Sequence, residues 1–252
     1  MSCKPTPAKS LPYISLETRA IIKRVTEKDY EDPRDLPSEL NLGDCDDLVD
    51  VSALGGVRYL YLSVCTGIID VFALGEVQEL DLRGCTGVVD VSALGNVEEL
   101  NLRGCTGVVD VSALRSVRIL QLTGCTGITD ISPLGGGEVE VLVLDNCTGV
   151  ADISALGRCE YLRALHLTGC TGVVDVSALG QCDLYHLGLS GCTGIVDVSS
   201  LRRCKNLRAL YLNGCTRIVD VSSLGRCEHL QELWLRGCTG ITDFSAVPQA
   251  YR

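Results

Sequence analysis

The residues of this chain with the greatest capacity for chemistry are fifteen cysteines, which could form disulfides, ligate a metal or act as reactive thiols. Fourteen fall into two evenly spaced columns: Cys45, Cys65, Cys85, Cys105, Cys125, Cys147, Cys170, Cys192, Cys215 and Cys238, then Cys159, Cys182, Cys204 and Cys227. Column neighbours on stacked strands would lie about 4.8 Å apart with nearly parallel Cα–Cβ bonds, which suits a disulfide poorly. The sequence has no C-x-x-C pair or Cys/His cluster that would indicate zinc. We therefore predict buried, reduced cysteines, with disulfides or a metal site as the alternatives.

Ten aspartates form a further column that could in principle bind calcium: Asp50, Asp70, Asp90, Asp110, Asp130, Asp152, Asp175, Asp197, Asp220 and Asp243. Calcium needs about six to eight oxygens converging on one point, and a single file of carboxylates does not supply them. Each aspartate precedes a short apolar stretch, which favours capping of a helical turn through backbone N–H groups two or three residues on. Three histidines and no Gly-x-Ser-x-Gly, Walker or H-E-x-x-H pattern give no catalytic set. We predict no enzymatic activity, no cofactor and no bound metal.

The columns arise because one phrase, LDLRGCTGVVDVSAL at residues 80–94, recurs ten times with a spacing of 20–23 residues. A unit of this length built on L-x-L-x-x-C is the signature of a leucine-rich repeat. Leu80 and Leu82 are two residues apart, as in a strand that buries one face. Val91–Leu94 is predicted to form a short helical turn on the opposite side of the coil. One unit cannot bury its own leucines but stacked neighbours can, so the sequence predicts an elongated stack.

The chain divides into four predicted regions. Residues 1–12 are expected to be a disordered tail, and residues 13–36 a capping helix and linker over the open end of the first repeat. Residues 37–247 hold ten repeats, 20 residues long up to about 134 and 22–23 residues long after it, with a seam expected near residue 136. Residues 248–252 are expected to be a truncated tail, or an end that pairs with another protomer, so we predict a monomer or an end-to-end dimer.

Two phrases, LTGCTGITDISPL at 122–134 and LRGCTGITDFSAV at 235–247, resemble the cysteine-containing leucine-rich repeat, a subtype common behind F-boxes. GCTGVVDVSAL looks particularly like the repeats of trypanosomatid leucine-rich proteins, including the expression-site-associated kind, and ITDISPL is similar to internalin-type repeats. The resemblance covers 37–247 and implies a right-handed horseshoe of the α/β solenoid class. It implies a parallel β-sheet on the concave face, short helical or 3-10 turns on the convex face, and protein ligands in the concave groove. Departures at Asp47, Arg217, Phe72 and Val247 put local turns in doubt.

The amino-terminal segment has a second interpretation. Leu11 and Pro12, followed by Leu16, Ile21 and Ile22, faintly resemble the start of an F-box, the module that docks to ubiquitin-ligase adaptors. Only about 25 residues precede the repeats, fewer than that resemblance implies. The cap is therefore the main prediction, and docking is the alternative.

Composition excludes some classes of partner. The net charge of −10 leaves no basic surplus to neutralise phosphates, so nucleic acid is an unlikely partner. No apolar run reaches the length of about 18 residues that a transmembrane helix needs, so we predict no membrane insertion. The start, MSCKPTPAKSLPY, lacks the apolar centre of a secretory signal. Together with reduced cysteines, this predicts an intracellular protein, cytoplasmic or nuclear.

The positions beside the strand leucines vary between repeats and are the candidates for binding. The main predicted site, in the carboxy-terminal half, comprises His166, Tyr185, His186, Tyr211, Trp234, Arg163, Arg208, Val141 and Val143, with Arg118 beside it. A secondary acidic patch comprises Glu79, Asp81, Glu98 and Glu99. Aromatic and arginine side chains supply most of the energy at protein interfaces, although strand surfaces also tolerate aromatics without any binding role. A stacking platform for single-stranded RNA is a further alternative, which the overall acidity opposes.

The sequence therefore predicts a non-catalytic protein–protein interaction scaffold that binds a protein partner on the concave face, mainly over repeats six to ten. Two alternatives stay open. One is the substrate-recognition subunit of a ubiquitin ligase, and the other is a surface or secreted adhesin that binds a host protein, as the internalin-like repeats imply.

Overall fold

The computed structural model describes residues 13–245 of the chain. The predicted tails at 1–12 and 248–252, and the departure at Val247, lie outside the described residues. One α-helix, α1 (Leu16–Thr26), precedes ten three-residue strands that form one sheet in sequence order. The strands are β1 (Glu39–Asn41), β2 (Tyr59–Tyr61), β3 (Glu79–Asp81), β4 (Glu99–Asn101), β5 (Ile119–Gln121), β6 (Val141–Val143), β7 (Ala164–His166), β8 (His186–Gly188), β9 (Ala209–Tyr211) and β10 (Glu232–Trp234).

Every neighbouring pair of strands is parallel and in register, residue for residue. Leu80 pairs with Leu60 on one side and with Leu100 on the other. The middle residue of each strand is buried and its two neighbours face outward, because side chains alternate across a strand. The leucines therefore form a continuous apolar column inside the coil, and the fold is a leucine-rich repeat solenoid with the sheet on its concave face.

The opposite side of the coil is built from short 3-10 turns. In the repeats these span Phe72–Leu74, Ser92–Asn96, Ser112–Ser116, Ser132–Leu134, Ser154–Arg158, Ser177–Gln181, Ser199–Arg203 and Ser222–Arg226, and a further one in the linker spans Pro33–Asp35. Asp90 Oδ1 accepts a hydrogen bond from the backbone N–H of Ser92, two residues on as predicted, at 2.9 Å, although Val91 and not Asp90 occupies the N-cap position. The aspartates of the other repeats make the same bond. The turn starts at Ser92, one residue later than the sequence predicted.

Phe72 replaces the serine that opens this turn in other repeats, and the turn here has three residues, against five in Ser92–Asn96. The backbone N–H of Phe72 donates to Asp70 Oδ1 at 2.8 Å, the same bond that Ser112 makes with Asp110. This bond survives the departure because it uses the backbone and not the side chain. Ser132–Leu134 keeps the serine and is equally short, so Phe72 by itself does not account for the shorter turn. What changes is the surface, where the Phe72 ring is 79% exposed.

The cysteine columns are buried, and the fourteen cysteines within the described residues are free thiols. Each Sγ from the second repeat onward lies near a leucine carbonyl of the preceding repeat; Cys85 Sγ, for example, is 3.0 Å from Leu62 O. The thiols thus fill a narrow apolar space inside the coil. From the second repeat onward, each also makes a weak hydrogen bond to a leucine backbone carbonyl that lies outside the strands. Burial raises the pKa of Cys105 to about 12, so the thiol stays protonated at neutral pH.

Helix α1 covers the first repeat. Ile21 and Ile22 are buried in the same core as the strand leucines. The Thr18 hydroxyl donates to the Asp50 carbonyl at 2.7 Å, and Arg24 makes two 2.8 Å bonds to the Asp47 carboxylate. Asp47, a departure from the repeat pattern, thus anchors the helix. Because Ile21 and Ile22 are buried against the first repeat, they are not exposed to a ubiquitin-ligase adaptor. This packing favours the capping hypothesis over adaptor docking.

Candidate functional site

The carboxy-terminal aromatic side chains lie on neighbouring strands of the concave sheet. The register pairs His166 with Gly188, Gly188 with Tyr211, and Tyr211 with Trp234. These four positions form one row across β7–β10, with steps of about 4.8 Å between strands. We call His166, Tyr185, His186, Tyr211 and Trp234 the aromatic surface.

Tyr211 and Trp234 are in direct contact at the carboxy-terminal end of this row. Their ring centroids are 6.2 Å apart with an interplanar angle of 45°, within the range favoured by aromatic pairs. The Tyr211 hydroxyl donates to Glu232 Oε2 at 2.8 Å, and this bond raises the pKa of Tyr211 above its ordinary value. Trp234 nevertheless remains 54% exposed. A large, oriented aromatic surface is therefore presented to solvent.

Gly188 is the one position of this row without a side chain, and it is buried. A Cβ atom at this position would lie 3.2 Å from Nδ1 of His166, so the imidazole leans over the glycine backbone. On its other side Gly188 pairs with Tyr211. The absence of a side chain at Gly188 thus lets His166 lie flat between β7 and β8, within the same row as Tyr211 and Trp234.

The two predicted arginines differ in what they do. The Arg208 guanidinium lies over the Tyr185 ring, 5.5 Å from its centroid, in a cation–π contact at the edge of the aromatic surface. Arg163 donates to the backbone carbonyls of Glu160 at 3.0 Å and Asp183 at 3.4 Å. Arg208 is available to a partner, whereas Arg163 holds together the loops that precede β7 and β8.

Val141, Val143 and His186 extend the surface toward the centre of the sheet. The two valines are the outward-facing residues of β6, and both are partly exposed. Val143 pairs with His166, while Val141 pairs with Ala164, which in turn pairs with His186. The sheet therefore brings all nine residues predicted for the main site onto adjacent strands or the loops that lead into them.

The predicted acidic patch is not a free cluster of charge. Arg118 bridges Glu98 at 3.0 Å, Glu99 at 2.6 Å and Glu140 at 3.3 Å. Hydrogen bonds from Gln78 and then from Arg118 hold the pKa of Glu98 below its ordinary value. The sequence interpretation placed Arg118 beside the aromatic residues, which is wrong, because its side chain points along the stack to the neighbouring glutamates. Asp81 pairs with Arg83 at 3.1 Å.

A row of side chains that the sequence analysis missed runs along one edge of the sheet. It consists of the residue immediately before each of the strands β2–β9: Arg58, Gln78, Glu98, Arg118, Glu140, Arg163, Tyr185 and Arg208. Arg58 bonds to Gln78, Gln78 to Glu98 at 2.7 Å, and Arg118 joins Glu98 to Glu140. Reading this one position down the repeats, where acidic and basic residues alternate, would have revealed it. The row stabilises the stack and leaves few free charges at this edge.

Among residues 13–245, no group of three or more His, Cys, Asp or Glu side chains is arranged to hold a metal ion. Over the same residues, no helix has the length and apolarity needed to cross a membrane.

Comparison with known proteins supports the fold. A family model described as leucine rich repeats (2 copies) matches residues 205–249. No curated protein matches the sequence. Among solved structures, the chain is similar to the internalin inlF from Listeria monocytogenes, with 23% identity and a TM-score of 0.55 over 79% of this chain and 67% of that one.

Two further structures from Listeria monocytogenes match less closely. Internalin C2 is 18% identical with a TM-score of 0.49, over 94% of this chain and 90% of that one. The functional domain of InlJ, described as including a cysteine ladder, is 17% identical with a TM-score of 0.43, over 78% and 55% of the two chains. The sheet topology, the repeat match and the inlF likeness together establish a leucine-rich repeat solenoid.

Proposed function

We propose that this protein is a non-catalytic scaffold that binds a protein partner on the aromatic surface of its concave face. The observation that carries the proposal is the half-exposed Trp234 in contact with Tyr211. Interface energy concentrates in a few aromatic and arginine side chains that a partner can desolvate. Arg208 over Tyr185 adds a cation at the edge of the same surface.

The charge distribution favours a protein over a nucleic acid. Tyr211 donates a hydrogen bond to the Glu232 carboxylate, so the phosphates of a nucleic acid whose bases stacked on these rings would lie close to a negative charge. The overall charge of −10 adds long-range repulsion of any polyanion. A protein partner whose surface is neutral or of mixed charge is repelled neither by Glu232 nor by the net charge.

Replacing both Tyr211 and Trp234 with alanine is expected to reduce partner recovery by about tenfold or more, because each ring supplies a large share of the contact energy. The measurement is affinity capture from lysate, followed by quantitative mass spectrometry. The matched control is the double variant Tyr59→Ala and Tyr61→Ala on β2, where two aromatics occupy the outward positions of a strand far from the site. Circular dichroism and thermal unfolding verify the fold of both variants. Equal recovery by wild type and the Tyr211/Trp234 variant, or an equal loss in the control, contradicts the assignment.

We also propose that the protein resides inside the cell, in the cytoplasm or nucleus. Fourteen free, buried thiols support this, since the reducing interior keeps cysteines unpaired. For protein purified from its natural source with an alkylating agent present throughout, we expect the whole cysteine ladder to be reduced in denaturant. The same protein should react little with a thiol reagent before denaturation. Recovery of disulfide-linked cysteines would instead favour the adhesin alternative.

The ubiquitin-ligase alternative and the finer resemblance to trypanosomatid leucine-rich proteins stay predictions of the sequence. Deleting residues 1–36 tests the ubiquitin-ligase alternative. Loss of folding supports a capping role for α1, whereas a folded protein that loses only adaptor binding supports docking.

A further inference from the structure

A second outward-facing apolar surface lies away from the concave face, on the residue that precedes each capping aspartate. Seven of the ten repeats carry a valine or isoleucine there, namely Val49, Ile69, Val89, Val109, Val174, Val196 and Val219. Their exposed fractions run from 44% to 66%, whereas the valine one position earlier, Val88, is fully buried. The first four belong to successive repeats and so form an unbroken stripe.

Folding accounts for only part of this composition. A Cβ placed on Gly107 would lie 2.9 Å from Val89 Cγ2, so Val89 packs across the glycine of the next repeat. Thr129 makes the same approach to Gly149, with its Cγ2 also at 2.9 Å. Threonine can therefore make this contact with the next repeat as well as valine does. The valine and isoleucine side chains at the other stripe positions thus expose more hydrocarbon surface than stacking of the repeats requires.

Phe72 is the largest side chain at this surface. It stands where Ser92 and Ser112 open the equivalent turns of the next two repeats, and its bond to Asp70 uses only the backbone. The ring lines a shallow groove together with Ile69 and Ala93. We define the Phe72 patch as Val49, Ile69, Phe72, Val89 and Val109.

A single column of carboxylates, Asp70, Asp90 and Asp110, runs through the patch. Oδ1 of Asp70, Asp90 and Asp110 accepts a backbone N–H two residues on. Within residues 13–245, no Lys or Arg side chain forms a salt bridge with any of these three carboxylates. An occupant must therefore bring positive charge beside apolar groups. A second copy of this chain facing the patch would oppose aspartate with aspartate, and an anionic membrane would be repelled.

The spacing of the patch distinguishes a helix from a strand. Neighbouring strands of the sheet are about 4.8 Å apart. The repeats are also closely stacked at the stripe, where Cγ2 of Val89 and of Val109 would lie 2.9 Å and 3.3 Å from a Cβ on the glycine of the next repeat. Four stripe residues therefore span at least about 14 Å. Apolar residues on one face of an α-helix recur about every 5.4 Å along its axis, whereas those on one face of a strand recur about every 6.7 Å. Over four repeats the positions on a helix face depart from the stripe by about 2 Å, whereas those on a strand face depart by about 6 Å, which is more than one repeat.

We infer that the Phe72 patch docks an amphipathic helix of a protein partner, with lysine or arginine beside its apolar ridge, opposite the column of Asp70, Asp90 and Asp110. This surface is separate from the aromatic surface of the concave face, so one molecule can bind two partners at once. Phe72 and Ile69 supply the apolar contact, while Asp70, Asp90 and Asp110 select for positive charge.

The test uses a designed, fluorescently labelled helical peptide of about 18 residues, which spans about 27 Å. Leucines occupy positions i, i+4, i+7 and i+11, and lysines flank them. Three comparison peptides have glutamates in place of the lysines, the same composition in alternating strand order, or a scrambled order. Binding to the full chain is measured by fluorescence anisotropy at about 50 mM and about 300 mM salt, because ion pairing weakens with screening.

We expect saturable binding of the lysine-flanked helix, weakened several-fold by the added salt. Phe72→Ser should weaken it at least about tenfold and Ile69→Thr several-fold, in accord with the apolar area removed. Both replacements are residues that this chain already carries at the same repeat position, so the fold should persist. The control variants Val219→Thr, on a distant repeat, and Trp234→Ala, on the aromatic surface, should bind as wild type does.

Four results overturn the inference: no saturable binding of the lysine-flanked peptide; equal binding of the glutamate-flanked or scrambled peptide; tighter binding of the strand-patterned peptide; or equal losses in the control variants. Sedimentation velocity of the chain alone adds a fifth. A self-association that Phe72→Ser abolishes would assign the patch to a second copy.

Discussion

Raising the pH from about 7.5 to about 9.5 is expected to unfold this protein, because its core is built on thiols that ionise only when they reach water. Burial raises the pKa of ten of them to about 11 or about 12: Cys65, Cys85, Cys105, Cys125, Cys147, Cys170, Cys182, Cys192, Cys204 and Cys215. In the unfolded chain the same thiols have a pKa of about 8.5.

The sign of the effect follows from which state holds the protons. A group whose pKa is raised in the folded state stabilises that state fully below the unfolded pKa, and this contribution is lost as the pH rises toward the folded pKa. One pH unit above the unfolded pKa, each thiol lowers the unfolding free energy by about 1 kcal/mol, so ten lower it by on the order of 10 kcal/mol. Domains typically have about 5–15 kcal/mol in total, so a loss of this size removes most or all of the stability within this window.

The measurement is urea unfolding followed by circular dichroism at pH steps between about 7 and 10, with a phosphine reductant present to keep the thiols unpaired. The double variant Cys105→Ala and Cys125→Ala removes two of the ten thiols. The dependence of unfolding free energy on pH above about pH 9 should then fall by about one fifth. A urea midpoint that is unchanged between about pH 7.5 and about pH 9.5 contradicts the prediction.

The second large effect is expected from Gly55→Ala, with a loss of about 3 kcal/mol in unfolding free energy, as for a severe case of overpacking. A Cβ at Gly55 would lie 2.1 Å from the backbone carbonyl oxygen of Ala73 in the next repeat. Ala73 sits in the 3-10 turn Phe72–Leu74, which the bond from Leu74 N to Val71 O holds at 2.9 Å. The carbonyl cannot withdraw without separating the first two repeats.

The adjacent glycine supplies a matched control. Nothing lies within 4 Å of a Cβ at Gly56, so Gly56→Ala should change stability by less than about 0.5 kcal/mol. Thermal unfolding of both variants measures the difference, and hydrogen exchange should show that Gly55→Ala releases α1 and β1 first, since a solenoid is stabilised repeat by repeat. Equal stability of the two variants would show that the repeats are less closely stacked than the structure has them.

The fold was predictable from the sequence because its determinants recur. Leu80, Leu82 and Cys85 have counterparts in every repeat, and the two-residue spacing of the leucines identifies a strand with one buried face. Register follows directly, since stacked identical units can only align like with like. The aromatic surface was predictable for the same reason: once the strands align, Tyr211 must lie beside Trp234.

Other features depend on side-chain conformations that no spacing specifies. Arg118 could reach either toward the aromatic residues or toward Glu98 and Glu140, and the charges on the neighbouring repeats decide it. The engagement of Arg163 with backbone carbonyls depends in the same way on the path of the adjacent loops.

The sequence by itself determined the repeat, the buried thiols and the order of side chains along each column, because all three follow from a periodicity that every unit shares. Only the tertiary structure decided which columns are free to bind. Exposure depends on what the neighbouring repeat places alongside: Glu98 is paired with Arg118, His166 leans over Gly188, and Phe72 keeps its backbone bond to Asp70 while its ring faces solvent.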